Sequence, residues 1–371
     1  MRIGFDYLTA VCHAPGVGRY GRELVRAMVR LQECPQLALF EIGGGERVME
    51  GAPLGLEAAP AGRVKRLRLP LPRRAIELGS RLFGLGADRL LGGVDLFHRT
   101  TLDYPPVSRA PEVLPVSELP DVGSATETRM RAAARRAVAV VVFSEHYAHL
   151  VIDRFGLDTE RVHITPVGCD HWVRDRETDA RESAQLGADA APRAPQILAL
   201  GALRSERSPD ALVAGYTRWI ESGGDQDLCF IGRTGDATEA FERARAASSA
   251  SHRIRWISDP RESDMPRIVA ASTVLVHLDA VAGTPVTPLE AMAMGLPVVA
   301  RRLPAFVEAL GETAIWIDQD DSLTLAEAIE TATIQAQDAE SRELRLACAR
   351  RHPWSRCAEA TLQVWRQALE R

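Results

Sequence analysis

Of the 45 basic side chains in this sequence, only Lys65 is a lysine. With abundant alanine, that arginine bias is the composition of a GC-rich bacterial genome. Cysteine is sparse and scattered: Cys12, Cys34, Cys169, Cys229, Cys348 and Cys357 include no CxxC pair. This excludes a zinc ribbon or a disulfide frame and points to reduced thiols in a cytosol. There is no HExxH, no Cys/His cluster and no DxD-like pair in a suitable place, so no catalytic metal is expected. No apolar run reaches about 18 residues, which excludes a transmembrane helix. Met1–Tyr7 reads directly as a strand rather than as a signal peptide. A net charge of -5 gives no general attraction to nucleic acid.

What is present is βα alternation, twice over. At 371 residues two domains are expected. Strand patterns at Arg2–Tyr7, Leu37–Ile42, Arg63–Leu69, Asp95–His98, Glu112–Val116, Val138–Phe143 and His163–Val167 alternate with helical stretches, among them Gly18–Leu31, Ala75–Leu91, Thr126–Ala137 and Glu145–Phe155. Gly168–Arg193 is polar and reads as a linker with loose surface structure. The alternation restarts at Gln196–Leu200 and runs to a last helix at Ser355–Glu370. Two parallel, doubly wound sheets are expected, with ligands at the carboxyl ends of strands.

Thr273–Ala300 reads strand, loop, short helix, strand. Thr287 is placed to cap a helix that begins at Pro288, with Glu290 three residues beyond the cap. As a capping box this needs no ligand. As a helix N-terminus fed by a loop it also suits a phosphate, with a carboxylate beside it for a sugar hydroxyl. Gly16, Gly18 and Gly21 spell a formal GxGxxG, but eight residues separate Tyr7 from Gly16, too many for a dinucleotide turn. A mobile glycine loop entering a helix N-terminus is the better reading. Arg204 and Arg207 lie between a strand and Pro209, either as solvated loop arginines or as a diphosphate fork. Arg63–Arg89 combines eight cations with interleaved leucines and Phe83, either a solvated basic face or an interfacial patch on anionic lipid. His98 and His163 sit on apolar strands as core histidines.

Taken together, the segments resemble a bacterial family 4 glycosyltransferase of the GT-B fold, mannosyltransferase-like. The resemblance rests on MRIGFDYLTA…GVGRYGRELVRAM, VVVFSEHYAHLVIDRFGLDTERVHITPVGCD, LALGALRSERSPDALVAGY, GTPVTPLEAMAMGLPVVA and HPWSRCAEATLQVWRQAL, in that order. It implies an α/β architecture of two Rossmann-like domains facing a cleft. Residues 1–170 would be the acceptor domain and 171–353 the donor domain, with 354–371 a terminal helix crossing back.

The resemblance also implies a cytoplasmic enzyme that moves a sugar, with retention, from a nucleotide sugar to a glycan or lipid-linked acceptor in surface polysaccharide synthesis. No cofactor and no metal are implied, and a GDP-sugar is preferred. Gly16, Gly18, Arg204, Arg207, Pro285, Val286, Thr287 and Glu290 would bind the donor, Glu290 at the ribose and Arg207 at the diphosphate. The first Glu of the family's E-x7-E signature falls on Ala282. Its N-terminal-domain His falls on Ser117, followed by Glu118, and Asp279 is the substitute carboxylate for Ala282. Ser117, Glu118 and Asp279 are thus the catalytic candidates. The changes at Ala282 and Ser117 also motivate a second reading, a degenerate family member that binds or scaffolds an active transferase. Another GT-B enzyme, such as a sugar-nucleotide epimerase, fits the spacing less well. Peripheral contact with anionic membrane through Arg63–Arg89 completes the expectation.

Overall fold

The computed structural model describes residues 1–12, 16–42, 55–57, 59–173, 195–258, 260–281 and 283–371. Most of the Gly168–Arg193 linker therefore lies outside the described residues. The chain divides into two compact units, Met1–Gly168 with Trp354–Arg371, and Cys169–Pro353.

In the first unit, β1 (Arg2–Asp6), β2 (Gln36–Ile42), β3 (Val64–Leu69), β4 (Leu96–His98), β5 (Glu112–Pro115), β6 (Ala139–Val142) and β7 (Val162–Ile164) form one sheet. Its order is β3-β2-β1-β4-β5-β6-β7, with every neighbouring pair parallel. The second unit has β8 (Gln196–Leu200), β9 (Asp227–Ile231), β10 (Ile254–Ile257), β11 (Ser272–His277), β12 (Val298–Arg301) and β13 (Ile315–Ile317). Its order is β10-β9-β8-β11-β12-β13, again all parallel. Central strands of such sheets are covered on both faces, which is why β6 reads AVVV and is buried throughout. The order reverses between β1 and β4 in one unit and between β8 and β11 in the other. Loops leaving those paired strand ends diverge and open a crevice, the usual ligand position in an open α/β sheet.

Two helix expectations are corrected. Ala75–Leu91 is not one helix but two, Arg73–Phe83 and Ala87–Leu90. Gly84 between them adopts φ 61°, a left-handed conformation that glycine takes without steric cost and that ends the first helix. Thr287 does not cap its helix, which runs Val286–Ala293 with Pro285 at the cap and no side-chain capping bond. The Leu289 N–H donates to the Pro285 carbonyl at 3.0 Å, so the first turn starts earlier and takes Thr287 inside it.

The last helix, Trp354–Glu370, packs within the first unit on the Val17–Met28 helix. Its anchor is Trp365, whose indole N–H donates to His98 Nδ1 at 3.1 Å. An indole nitrogen only donates, so Nδ1 is the acceptor and the proton of neutral His98 sits on Nε2, 3.1 Å from the Tyr20 hydroxyl. His98 also stacks on Phe5 with ring centres 4.8 Å apart. It is thus a satisfied core histidine. Burial without a compensating anion pushes its pKa from 6.5 down to about 3.

The unfolded chain takes up this proton more readily, so the stability contribution is complete above about pH 6.5 and is lost as pH falls towards 3. Urea unfolding between pH 7 and 5 should show this as a slope of at most about 1.4 kcal/mol per pH unit from one group. His98→Phe should remove that part of the slope; an unchanged slope would show that other groups cause it.

Candidate functional site

The β8–β11 switch point is built by two loops. β8 ends at Leu200 and is followed by Gly201, at φ 129°, against which the Arg207 guanidinium lies. A β-carbon at Gly201 would sit 2.9 Å from Arg207 Nη1, so the glycine is what lets the arginine fold back over the strand end. β11 ends at His277, and Asp279 follows two residues later. Arg207 Nε and Nη2 each lie 2.9 Å from Asp279 Oδ2. The carboxylate also accepts the Val281 N–H at 3.1 Å. Gly201, Ala202, Arg207, Phe230, His277 and Leu278 line the pocket at these strand ends.

The charges at this point are set by burial and by each other. Burial lowers the His277 pKa to about 4 despite Asp279, so its imidazole is neutral at pH 7. Burial alone would raise the Asp279 carboxyl; His277, the Arg207 guanidinium and the Val281 N–H together outweigh it and hold the group below its ordinary value. Asp279 is therefore an anion that fixes Arg207 in orientation. Arg207 keeps about a quarter of its side chain exposed, and its Nη1 donates to the Ala202 carbonyl at 3.4 Å. Its fork thus still has donors to offer an anionic ligand.

A second cation stands beside the first. Arg301, at the end of β12, donates from Nε to the Leu278 carbonyl at 2.9 Å and from Nη2 to Ser208 Oγ at 3.0 Å, and it pairs with Asp320. It holds the β11 loop against Ser208, the left-handed residue (φ 41°) that starts the Pro209–Glu221 helix. Arg204, by contrast, is exposed and pairs with Glu206 at 2.8 Å. The structure brings Arg207 and Asp279 into direct contact and leaves Arg204 outside that contact.

Glu290 lies on the Val286–Ala293 helix and is fully buried. His171 Nε2 stands 3.2 Å from its Oε1. Pro285 is buried, while Val286 and Thr287 are half-buried on the first turn. Just before them the Thr284 hydroxyl is buried without a hydrogen-bond partner among the described residues. Ala282 lies outside the described residues.

In the first unit, Gly16 is exposed at φ 69° and caps the Val17–Met28 helix, and Gly18 is buried in its first turn. Ser117 is half-buried and Glu118 exposed, both in the loop after β5. At the β1–β4 switch point, buried Asp6 accepts from the Thr100 hydroxyl at 2.8 Å, the Thr101 hydroxyl at 2.9 Å and the Leu8 N–H at 3.3 Å. Burial raises its carboxyl further than these donors lower it.

Sequence reasoning missed His171, His277, Arg301 and Asp6. Asp6 and His277 carried one usable signal, a polar residue at the carboxyl end of an otherwise apolar strand. Arg301 closes VVAR in the same way.

Residues 194–333 match the family described as Glycosyl transferases group 1. Over 180 residues the chain is 21% identical to the serotype-specific mannosyltransferase WbdA of Escherichia coli, covering 43% of this chain and 22% of that protein. It is 28% identical over 118 residues to the O-antigen chain mannosyltransferase B of Escherichia coli, covering 30% of each. The chain thus spans less than a third of either relative. Among solved structures, an α,α-trehalose-phosphate synthase (UDP-forming) from Burkholderia vietnamiensis superposes with a TM-score of 0.70 at 14% identity, covering 99% of both chains. Anabaena Alr3699/HepE in complex with UDP-glucose gives a TM-score of 0.67 at 13% identity, covering 99% of this chain and all of that one. Residues 194–333 therefore match a glycosyl transferases group 1 domain, and the chain has the GT-B fold of these solved structures.

Proposed function

We propose that this chain transfers a sugar, with retention, from a nucleotide sugar to a glycan or lipid-linked acceptor in bacterial surface polysaccharide synthesis. The observation that carries this reading is Arg207, fixed by Asp279 at the strand ends where the second unit's sheet order reverses. A guanidinium held there suits a diphosphate, whose negative charge grows as the sugar–phosphate bond breaks. Glu290 takes the ribose hydroxyls, and the first turn at Pro285, Val286 and Thr287 faces the phosphates. Arg204, at the mouth of the same loop, is assigned to outer donor contacts. The N–H groups around Gly16 and Gly18 are assigned to donor binding as well. Ser117 and Glu118 are assigned to the acceptor side.

In the step itself, an acceptor hydroxyl oxygen bonds to the anomeric carbon as the bond to the diphosphate breaks. The leaving phosphate oxygen takes the hydroxyl proton, so the protein supplies chiefly position and charge. Asp279, tied to Arg207, acts by orienting it. The likeness to mannosyltransferases makes a GDP-sugar the preferred donor, and no resident cofactor is assigned. Work in the cytoplasm with peripheral contact at an anionic membrane belongs to the same reading.

The test is a turnover assay with GDP-mannose, UDP-glucose and ADP-glucose against oligosaccharide and lipid-linked acceptors, reading nucleoside diphosphate release and product anomer. Release that depends on acceptor, with the donor's anomeric configuration kept, is expected. Nucleotide binding with neither transfer nor donor hydrolysis would favour the scaffold reading that Ser117 and Ala282 motivate.

A further inference from the structure

The Arg73–Phe83 helix buries only Ile76. Five of the fourteen exposed large hydrophobic side chains among the described residues fall within Leu71–Leu85: Leu71, Leu78, Leu82, Phe83 and Leu85, with Leu82 at 64% and Phe83 at 70%. At 3.6 residues per turn, Leu78 and Leu82 lie on one stripe, Arg74 and Arg81 run along its edge, and Ile76 faces the other way. The helix is held to its unit from that other side. Arg73 pairs with Glu77 at 2.9 Å and lies over the Tyr104 ring at 4.6 Å.

The cations of this region divide in the same sense. Arg66 is taken by Glu41, whereas Lys65, Arg68, Arg74 and Arg81 are exposed and make no ion pair among the described residues. Of the two acids in the segment, Glu77 is paired and Asp88 turns inward to the N–H groups of Ser108, Arg109 and Ala110. Arg63–Arg89 carries eight cations and two acids, a net of +6, in a chain of net -5. The remainder therefore carries -11. A solvated basic face has no use for the leucines, and an edge strand guarded by Lys65 and Arg68 does not account for the helix.

We infer that this face, Leu78 and Leu82 flanked by Arg74 and Arg81, is a docking surface for an anionic lipid bilayer. The inference rests on the proposed transfer to a membrane-associated acceptor and names the surface that brings the chain to it. Apolar side chains enter the headgroup boundary while the arginines stay at phosphate level. Among the described residues no helix is long and apolar enough to cross a membrane.

The test is co-sedimentation of the full chain with vesicles of phosphatidylglycerol and phosphatidylcholine, against phosphatidylcholine alone. Binding to the mixed vesicles only is expected. Leu78→Ser with Leu82→Ser, and separately Arg74→Gln with Arg81→Gln, should each weaken it by on the order of tenfold, the second with a lower salt dependence. No binding, or equal binding to both vesicles, overturns the inference. So does a dimer in sedimentation velocity that the leucine variant disperses, because the face would then cover a second copy. These exposed substitutions should leave circular dichroism and nucleoside diphosphate affinity unchanged. Vesicle binding without any nucleotide binding would instead sink the donor-site reading and leave the docking surface standing.

Discussion

Arg207→Met should lower turnover by about 100- to 1,000-fold, the usual effect of removing one preorganised donor from a developing anion. The loss should fall mainly on kcat, because the diphosphate gains most of its charge in the transition state. The geometry adds a specific companion result. Asp279 is buried and its anion is balanced by Arg207. Without the arginine, that carboxylate stands uncompensated beside the phosphates, so Arg207→Met should be worse than Arg207→Met with Asp279→Asn. Arg207→Lys keeps the charge but gives up the two-nitrogen hold on Asp279, and should recover only part of the activity. Equal rates for all of these variants would show that the pair is a structural clasp. Steady-state kinetics with the best donor decide between the outcomes.

The second large effect concerns Glu290. Its carboxylate is sealed from solvent and faces His171 across 3.2 Å. A carboxylate accepts about four hydrogen bonds, so ribose hydroxyls are expected to join His171 on the same group. Glu290→Gln keeps the volume and removes the charge. It should weaken GDP binding by about tenfold, the lower end for hydrogen bonds to a charged group. A 2′,3′-dideoxy analogue should bind wild type and variant alike, because it lacks the hydroxyls. His171→Asn should give a smaller loss of the same selectivity. If Glu290→Gln weakened both nucleotides equally, the residue would be a core polar group and not a ribose contact.

Much of the fold was legible because period and punctuation agreed. Gln196–Leu200 appears as a strand and Glu145–Phe155 as a helix at the expected bounds. The strand is a short apolar run closed by a turn. Ser144, between the expected strand and helix, caps that helix by accepting the Tyr147 N–H. The misreadings were local. Leucine spacing carries on across Gly84 although the backbone does not, and Pro285 rather than Thr287 sets the first turn of its helix.

The site was legible as loops but not as contacts. Arg207 and Asp279 are 72 residues apart and meet only because β8 and β11 are neighbours. Sheet order is not written in local pattern. His171 lies in a short polar stretch with no periodic signal, so nothing nearby marks it as the partner of Glu290. The exposed leucines of Arg73–Phe83 look like any amphipathic helix until burial shows that the packed face is Ile76 and not the leucine stripe.

The central claim is that the second unit holds a nucleotide-sugar donor through its diphosphate. Isothermal titration of the full chain with GDP, UDP and ADP tests it most directly. The account predicts one site per chain for at least one of them, GDP foremost, with binding cut by about tenfold or more in Arg207→Met. Failure of all three to bind a folded chain would contradict it.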